Sequence, residues 1–291
     1  MSLPISFRTC VSLGNDLPAC CAWAATQGFA AIEWTTNQLD GISAARAAGL
    51  NCFSVDLGGW SLWPQLLSRD DSIRKAAVAS ARIHIAACAD AAQGPLHHLL
   101  ILLPDSGCDR RQALAPAQAS LADLQQCLND NNARIGIEGW PGPQALGCTP
   151  ESLRAVLGDL DESIGINFDP SHLLRQGIDP LRFVAEFGHR IHHVHGKDCE
   201  CFTELIYDHG REIGGTVTND LPFGGPWWRY CIPGQGQLRW RAIIKALLTA
   251  GYTGPLSIEL EDGNYNGTPT SEEDGLLFAK KHLESCLGDK V

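Results

Sequence analysis

The chain lacks any run of about 18 apolar residues, so it offers no helix that could cross a bilayer. Its opening segment, MSLPISFRTC, lacks the basic-then-apolar pattern of a secretory leader, and the expectation is a cytoplasmic protein with no membrane partner. Basic residues are scarce: 22 Lys and Arg stand against 33 Asp and Glu, a formal net charge of −11 with no basic stripe. Nucleic-acid affinity is supplied by neutralising phosphates with Lys and Arg, so DNA and RNA are excluded as expected partners. Twelve cysteines are scattered from Cys10 to Cys286 without one Cys-x-x-Cys pair, which removes the zinc-knuckle and dithiol redox classes. Cys20 with Cys21 and Cys199 with Cys201 are too close for an ordinary disulfide, and all twelve read as small buried hydrophobes in a reducing compartment. Linker composition, internal repeats and low-complexity tracts are missing too, so positions 1–291 form one expected domain.

Eight apolar runs alternate with longer amphipathic stretches along the whole chain. They begin at Ile5, Phe29, Leu50, Leu96, Ala133, Ser163, Arg190 and Gly254. Helical stretches follow them, most clearly from Ser72 to Ala92 and from Ala113 to Asn129. Gly49 in AAGLN and Gly251 in TAGYTG stand just past helix ends, where a left-handed residue closes the last turn. Continuous leucine-rich and β-branched runs suit parallel strands covered by helices. Eight βα units predict an α/β fold, a (β/α)8 TIM barrel; a doubly wound open sheet shares the alternation, but no G-x-G-x-x-G turn follows the first run. One interval is irregular: positions 199–232, after the seventh strand, are far longer than a usual βα loop and read as a lid or substrate wall.

Barrels place their chemistry at the C-terminal ends of strands. Four consecutive strands here end in charged or imidazole groups: Glu138 on the fifth, Asp169 and His172 on the sixth, His195 on the seventh, Glu259 and Glu261 on the eighth. Three carboxylates and an imidazole around one point make an oxygen-rich site for a divalent cation, since clustered carboxylates would otherwise repel one another. Mn²⁺, Mg²⁺ or Co²⁺ fits this donor set better than a thiolate-seeking ion, with Zn²⁺ a further candidate.

NFDPSHL at strand six, HVHGKD at strand seven, and RYCIPGQGQLRWRAIIKALLTAGYTGPLSIELED from Arg229 onward resemble the xylose isomerase-like sugar phosphate isomerase/epimerase superfamily, whose members are TIM barrels. The resemblance implies that Glu138, Asp169, His195 and Glu259 bind a single metal ion, with Mn²⁺ the first expectation, and that Glu138 and Glu259 form the catalytic proton-transferring pair. It implies substrate contacts for His172, Arg229, Lys197 and Glu33, places Asp198 beside Lys197 as a supporting residue, and implies a dimer or tetramer acting on a small carbohydrate. The implied reaction is a sugar isomerisation or epimerisation on a ketose or related polyol, through an enediolate stabilised by the cation. A lyase or dehydratase acting on a keto-inositol or 3-keto-glycoside shares the first proton abstraction and is the alternative. An abasic-site nuclease of the same superfamily needs further histidines where this chain reads SVDLGGW and ILLPDSG.

Trp34, Trp60 and Trp140 lie near strand ends and could wall the apolar face of a sugar, although Trp is also a common core filler. Lys197 shares the inward parity of His195. His192 and His193 are read as structural, with His193 directed toward the helices; His84, His97, His98, His189 and His282 are read as core or surface residues without a role. No phosphate-cradling glycine turn is visible, so a phosphorylated substrate is not implied.

Overall fold

A computed structural model describes residues 3–35, 39–212 and 214–288. Each of the eight apolar runs contributes one barrel strand. The first seven are β1 (Ile5–Arg8), β2 (Ala31–Glu33), β3 (Ser54–Asp56), β4 (Leu96–Ile101), β5 (Ala133–Glu138), β6 (Ile164–Phe168) and β7 (Ile191–Gly196). A two-stranded ribbon, β8 (Asp198–Cys201) and β9 (Trp228–Cys231), precedes the eighth, β10 (Leu256–Ile258). Every barrel pairing is parallel, in the order β2-β1-β10-β7-β6-β5-β4-β3. Parallel bridges Ala31↔Asn51 and Trp34↔Val55 join the two ends of that order and complete the ring. The eight-strand barrel with a helical coat is the fold expected from the alternation.

The coat consists of α1 (Leu17–Thr26), α2 (Leu39–Ala47), the short α3 (Trp63–Leu66), α4 (Asp71–Ala92), α5 (Arg110–Asp130), α6 (Pro150–Leu157), α7 (Pro170–Arg175), α8 (Pro180–Phe187), α9 (Thr203–His209), α10 (Trp240–Thr249) and α11 (Pro269–Gly288). The sequence shows why α4 forms and which way it faces. Asp70 accepts the amides of Ser72 and Ile73 and so caps two of the free N–H groups of the first turn. Arg74, Ala77, Val78, Ala81, Ile85 and Cys88 are buried at three- and four-residue intervals, the stripe a helix must lay against a sheet. Gly49 and Gly251 take φ of +80° and +86°, as required at their helix ends.

Among the described residues the 199–232 interval is a folded excursion rather than a bare loop. β8 and β9 pair antiparallel, with Cys199 opposite Tyr230, and α9 lies between them. Asp198 ties the excursion to the barrel: one carboxylate oxygen accepts the amides of Cys199 (2.8 Å) and Leu238 (3.0 Å), the other the Trp240 indole (3.0 Å). Gly236 passes so close that a Cβ there would come within 2.1 Å of the Asp198 carboxylate, so only glycine fits. All twelve cysteines are free thiols, eight of them buried. No described helix is long and apolar enough to cross a membrane.

Candidate metal centre

The upper layer of the barrel interior is polar, because inward positions on successive strands carry Ser54, Asn167, His193, His195 and Ser257, all under 2 % exposed. Above this layer the ends of four strands converge. Glu138, Asp169, His195 and Glu259 each offer a ligand atom within 4.8 Å of the others. The Asp169 carboxylate shows why the geometry arises. Asp169 is the N-cap of α7, so its Oδ1 accepts the Ser171 amide at 2.9 Å and the Ser171 hydroxyl at 2.6 Å. Its Oδ2 is therefore turned into the barrel mouth, buried and without a hydrogen bond of sound geometry, although Lys197 Nζ stands 3.1 Å away and His172 Nε2 3.3 Å away. A buried carboxylate oxygen left in this state fits a cation as its intended partner.

Each glutamate is held by a proton-bearing neighbour. His172 Nε2 lies 2.9 Å from Glu138 Oε1, and its Nδ1 lies 2.6 Å from the Tyr230 hydroxyl. Burial pushes the Tyr230 phenol well above its usual pKa, so it stays neutral and can donate to Nδ1, which assigns the imidazole proton to Nε2 facing Glu138. Lys197 Nζ donates to Glu259 Oε2 at 2.7 Å and to Glu261 Oε2 at 3.0 Å. Burial works against this ammonium, but Asp169, Glu259 and Glu261 outweigh it and hold its pKa well above the lysine range. Burial likewise opposes ionisation of Glu259, yet His195 and Lys197 bring its pKa down to about 2. Glu138 is lowered well below the carboxylate range against the same burial, by His195 and His172.

His195 is oriented from beneath. Its Nε2 lies 3.0 Å from Glu33 Oε1, while Nδ1 faces Glu259 Oε2 at 3.0 Å and Glu138 Oε1 at 3.7 Å. Glu33 therefore fixes the ring that presents Nδ1 to the centre, the usual partnership of a carboxylate with a metal-ligating histidine. This revises the sequence expectation. Glu33 does not stand at the substrate end; it is 1 % exposed, and its oxygens are taken up by Arg8 (2.7 Å), Ser54 (2.9 Å), His193 (2.7 Å) and Ser257 (3.1 Å) as well as His195.

His193 is a second correction: it points into the barrel beside His195, not toward the helices. Residues two apart on a strand share a face, so the parity that directs His195 and Lys197 inward directs His193 inward too. His192 is turned inward too, at the lower end of the barrel, because the register with β6 slips between Ile191 and His193; its ring lies beside Gly165 and 5.9 Å from that of His97, with Nδ1 3.2 Å from the Ile135 carbonyl oxygen. Trp34 is a third correction. It is wholly buried against α2, where a Cβ on Gly41 would come within 2.7 Å of its ring, and it does not border the site. Arg229 is directed away as well: on β9, its Nε donates to Glu200 at 2.6 Å.

A cavity of about 290 Å³ lies over the centre, bounded on its polar side by Arg8, Asp56, Glu138, Lys197, Glu259 and Glu261. Trp60, Trp63 and Trp140 line its apolar side, with Trp60 5.0 Å from Trp63 and 5.9 Å from Trp140 between ring centroids. Of the expected substrate contacts, Lys197 and Trp140 border this space, and His172 sits beneath it on Glu138. Arg8, which the sequence reading did not single out, also borders the cavity. It forms a two-pronged pair with Asp56 (2.8 and 2.7 Å), reaches Glu33, and stands 3.5 Å from Glu259. The available signal was its place as the last residue of β1, the position equivalent to the strand ends singled out in the sequence. A larger cavity of about 400 Å³ opens at the opposite end of the barrel beside Pro95, Asn132 and Gly254, away from the strand ends that carry chemistry.

The model of the family described as "Xylose isomerase-like TIM barrel" matches residues 21–285. An uncharacterized protein, YfiH, of Bacillus subtilis is 36% identical over 115 residues, 39% of this chain and 36% of that protein. An inosose dehydratase of Lacticaseibacillus casei is 28% identical over 128 residues, 43% of this chain and 39% of that protein, so the matched segment spans well under half of these curated relatives. Among solved structures, a D-tagatose 3-epimerase-like protein superposes with a TM-score of 0.68 at 20% identity over 98% of both chains. The structure of an IOLI protein with a bound zinc atom superposes with a TM-score of 0.64 at 16% identity, over 98% of this chain and 96% of that one. At these identities the structural likeness speaks for the fold alone, whereas the family match covers most of the sequence. By fold and by sequence, the chain belongs to the xylose isomerase-like TIM barrel family.

Proposed function

We propose that the protein is a divalent-metal-dependent sugar isomerase or epimerase that moves a proton at the carbon beside a carbonyl of a ketose or related polyol. The observation that supports this most directly is the pairing of two carboxylates, Glu138 and Glu259, each with its own proton-bearing neighbour, across one cation-binding cluster. Glu138, Asp169, His195 and Glu259 would hold the cation. Bound there, a divalent ion supplies Lewis-acid charge for a developing oxyanion. Mn²⁺ suits the three oxygens and one nitrogen, Mg²⁺ and Co²⁺ are close competitors, and Zn²⁺ matches the ion in one structural neighbour.

The chain's own residues would do the rest. Both glutamates are held ionised and so are ready to accept a proton from carbon. His172 positions Glu138, and Lys197 positions Glu259 and can return a proton from its side of the site. Trp60 and Trp140 exclude water from the apolar edge and offer flat surfaces to C–H groups. A cavity of about 290 Å³ matches a single ring or an open-chain sugar rather than a polymer. A cytoplasmic location and a homo-oligomeric state belong to the same reading.

A specific feature favours a second reading, a dehydratase or lyase on a keto-inositol or 3-keto-glycoside. Lys197 is an ammonium inside the site that could protonate a departing oxygen, and inosose dehydratases are among the sequence relatives. Incubating Mn²⁺-loaded protein with ketohexoses, an inosose and 3-keto-glycosides in D₂O separates the two. Deuterium incorporated at carbon in a product of unchanged formula supports isomerisation or epimerisation. Release of water or an aglycone supports elimination, and no exchange with any of them rejects both.

A further inference from the structure

Behind the strand that carries Asp56, on the side away from the cavity, a second donor cluster lies between α4 and the barrel. His84 and Cys88 are four residues apart on α4 and so project side by side; His98 comes across from β4. Each of the three offers a ligand atom within 4.8 Å of the others. Cys88 and His98 are completely buried, and neither ring nitrogen of His98 has a hydrogen-bond partner. An imidazole in an apolar layer with both nitrogens unsatisfied is a costly arrangement that a folded protein rarely keeps without a use.

We propose that His84, Cys88 and His98 form a second cation site, separate from the carboxylate centre and selective for a borderline or soft transition ion such as Zn²⁺ or Cu⁺. The distances carry the argument. Metal–nitrogen and metal–sulfur bonds of about 2.0 and 2.3 Å at a tetrahedral angle set the two donors about 3.5 Å apart. His84 Nε2 and Cys88 Sγ already stand 3.4 Å apart. The Asp56 main-chain oxygen, 2.9 Å from the same nitrogen, is at hand as a fourth donor. Burial holds the His98 pKa down to about 3, so its ring is neutral with a lone pair to give at any ordinary pH. Burial also pushes the Cys88 thiol up to about 12, so binding must displace its proton: the S–H bond breaks, the sulfur–metal bond forms, and the proton leaves to solvent. The donors contrast with the carboxylate centre, since one imidazole and three carboxylates suit a hard ion while two imidazoles and a thiolate do not. The cation would pin α4 to β4. It would also take the place of the hydrogen bond between His84 and the carbonyl of Asp56, the residue whose side chain holds Arg8 at the cavity.

Co²⁺ titration of the metal-free full-length chain tests this, because a thiolate-to-cobalt charge-transfer band in the near ultraviolet can come only from a site containing cysteine. The expected result is two cobalt ions per chain, one of them giving the band. In Cys88→Ser the band disappears and stoichiometry falls to one. In His84→Ala, a substitution at a partly exposed helix position, the band appears only at concentrations at least tenfold higher. Glu138→Gln loses affinity at the other centre and keeps the band. No band in the unmodified protein overturns the proposal. So does an unchanged band in Cys88→Ser, or, should that variant not fold, an unchanged titration in His84→Ala.

Discussion

Replacing Lys197 by Met separates the charge of this side chain from its bulk. The ammonium is 2 % exposed and contacts Glu259 at 2.7 Å, Asp169 at 3.1 Å and Glu261 at 3.0 Å. The first two partners are nearly inaccessible, and removing one member of a buried ion pair costs about 3–5 kcal/mol because the other charge is left behind. Glu261 is 37 % exposed, so its arm is screened and adds only about 0–1 kcal/mol. The metal-free Lys197→Met protein should therefore be about 3–5 kcal/mol less stable, roughly 6–10 °C in thermal midpoint at about 2 °C per kcal/mol for a chain of this size. A cation replaces the lost charge. Because Asp169 and Glu259 no longer hold a competing ammonium, the variant should bind Mn²⁺ at least tenfold more tightly than the parent and recover part of the lost stability. Urea unfolding followed by tryptophan fluorescence, in chelator and in graded Mn²⁺, measures both effects. A chelator-treated variant as stable as the parent, or one that binds Mn²⁺ more weakly, would refute the view that Lys197 and the cation compete for the same carboxylates.

Tyr230→Phe removes the hydroxyl that fixes the His172 tautomer, and should lower kcat by about tenfold, the effect of one lost hydrogen bond, while Mn²⁺ affinity measured by calorimetry stays unchanged; a tenfold change in metal affinity instead would place Tyr230 in metal binding. His98 and His192 have folded pKa values of about 3 and about 4, below the ordinary histidine range, so the stability each contributes is complete above about pH 6.5 and is lost as pH falls toward those values. Metal-free protein should lose about 1.4 kcal/mol per pH unit for each of them across that window, and His98→Leu should flatten the slope of urea midpoint against pH by one histidine's share. Trp140→Ala should raise KM with little loss of stability, whereas Trp34→Ala should cost about 3–5 kcal/mol in stability; the opposite pattern would exchange their roles. The cavity lining carries four carboxylates, Asp56, Glu138, Glu259 and Glu261, against Arg8 and Lys197. A sugar phosphate, with about two further negative charges, should therefore bind at least tenfold more weakly than its parent sugar at low salt, and tighter binding of the phosphate would show the charge balance to be misread.

What could be read in advance follows from which physical signals are local. All eight barrel strands lie within apolar runs visible in the sequence, because a strand covered by helices must be continuously apolar. The four expected metal ligands meet because each lies within one residue of a strand's C-terminal end, and closure of the barrel brings strand ends together whatever the intervening helices contain. The ribbon inside the 199–232 interval was not legible, since antiparallel pairing of Cys199 with Tyr230 depends on contacts across a long, glycine-rich insertion. Nor was Tyr230 as the partner of His172, which the ribbon alone delivers.

Three residues misjudged around the site, Glu33, Trp34 and His193, share one cause, the alternation of side chains along a strand. Glu33 and Trp34 are adjacent in sequence at the end of β2, and both were expected at the mouth. One must face the barrel axis and its neighbour the helices, so at most one could have been near substrate. The inward residue, Glu33, meets two histidines and an arginine; burial opposes its ionisation, but His195 and His193 outweigh it and hold the carboxylate well below its usual range, with its hydrogen-bonding capacity already used. Its work is to aim His195. The same rule of two, applied to β7, puts His193, His195 and Lys197 on one inward face, and pairing them with Glu33, Glu138 and Glu259 builds a column of alternating nitrogen donors and carboxylates from the barrel interior to its mouth. A cation in the carboxylate cluster would complete that column near its open end, where each ligand already has a partner that fixes its orientation and where the cavity begins.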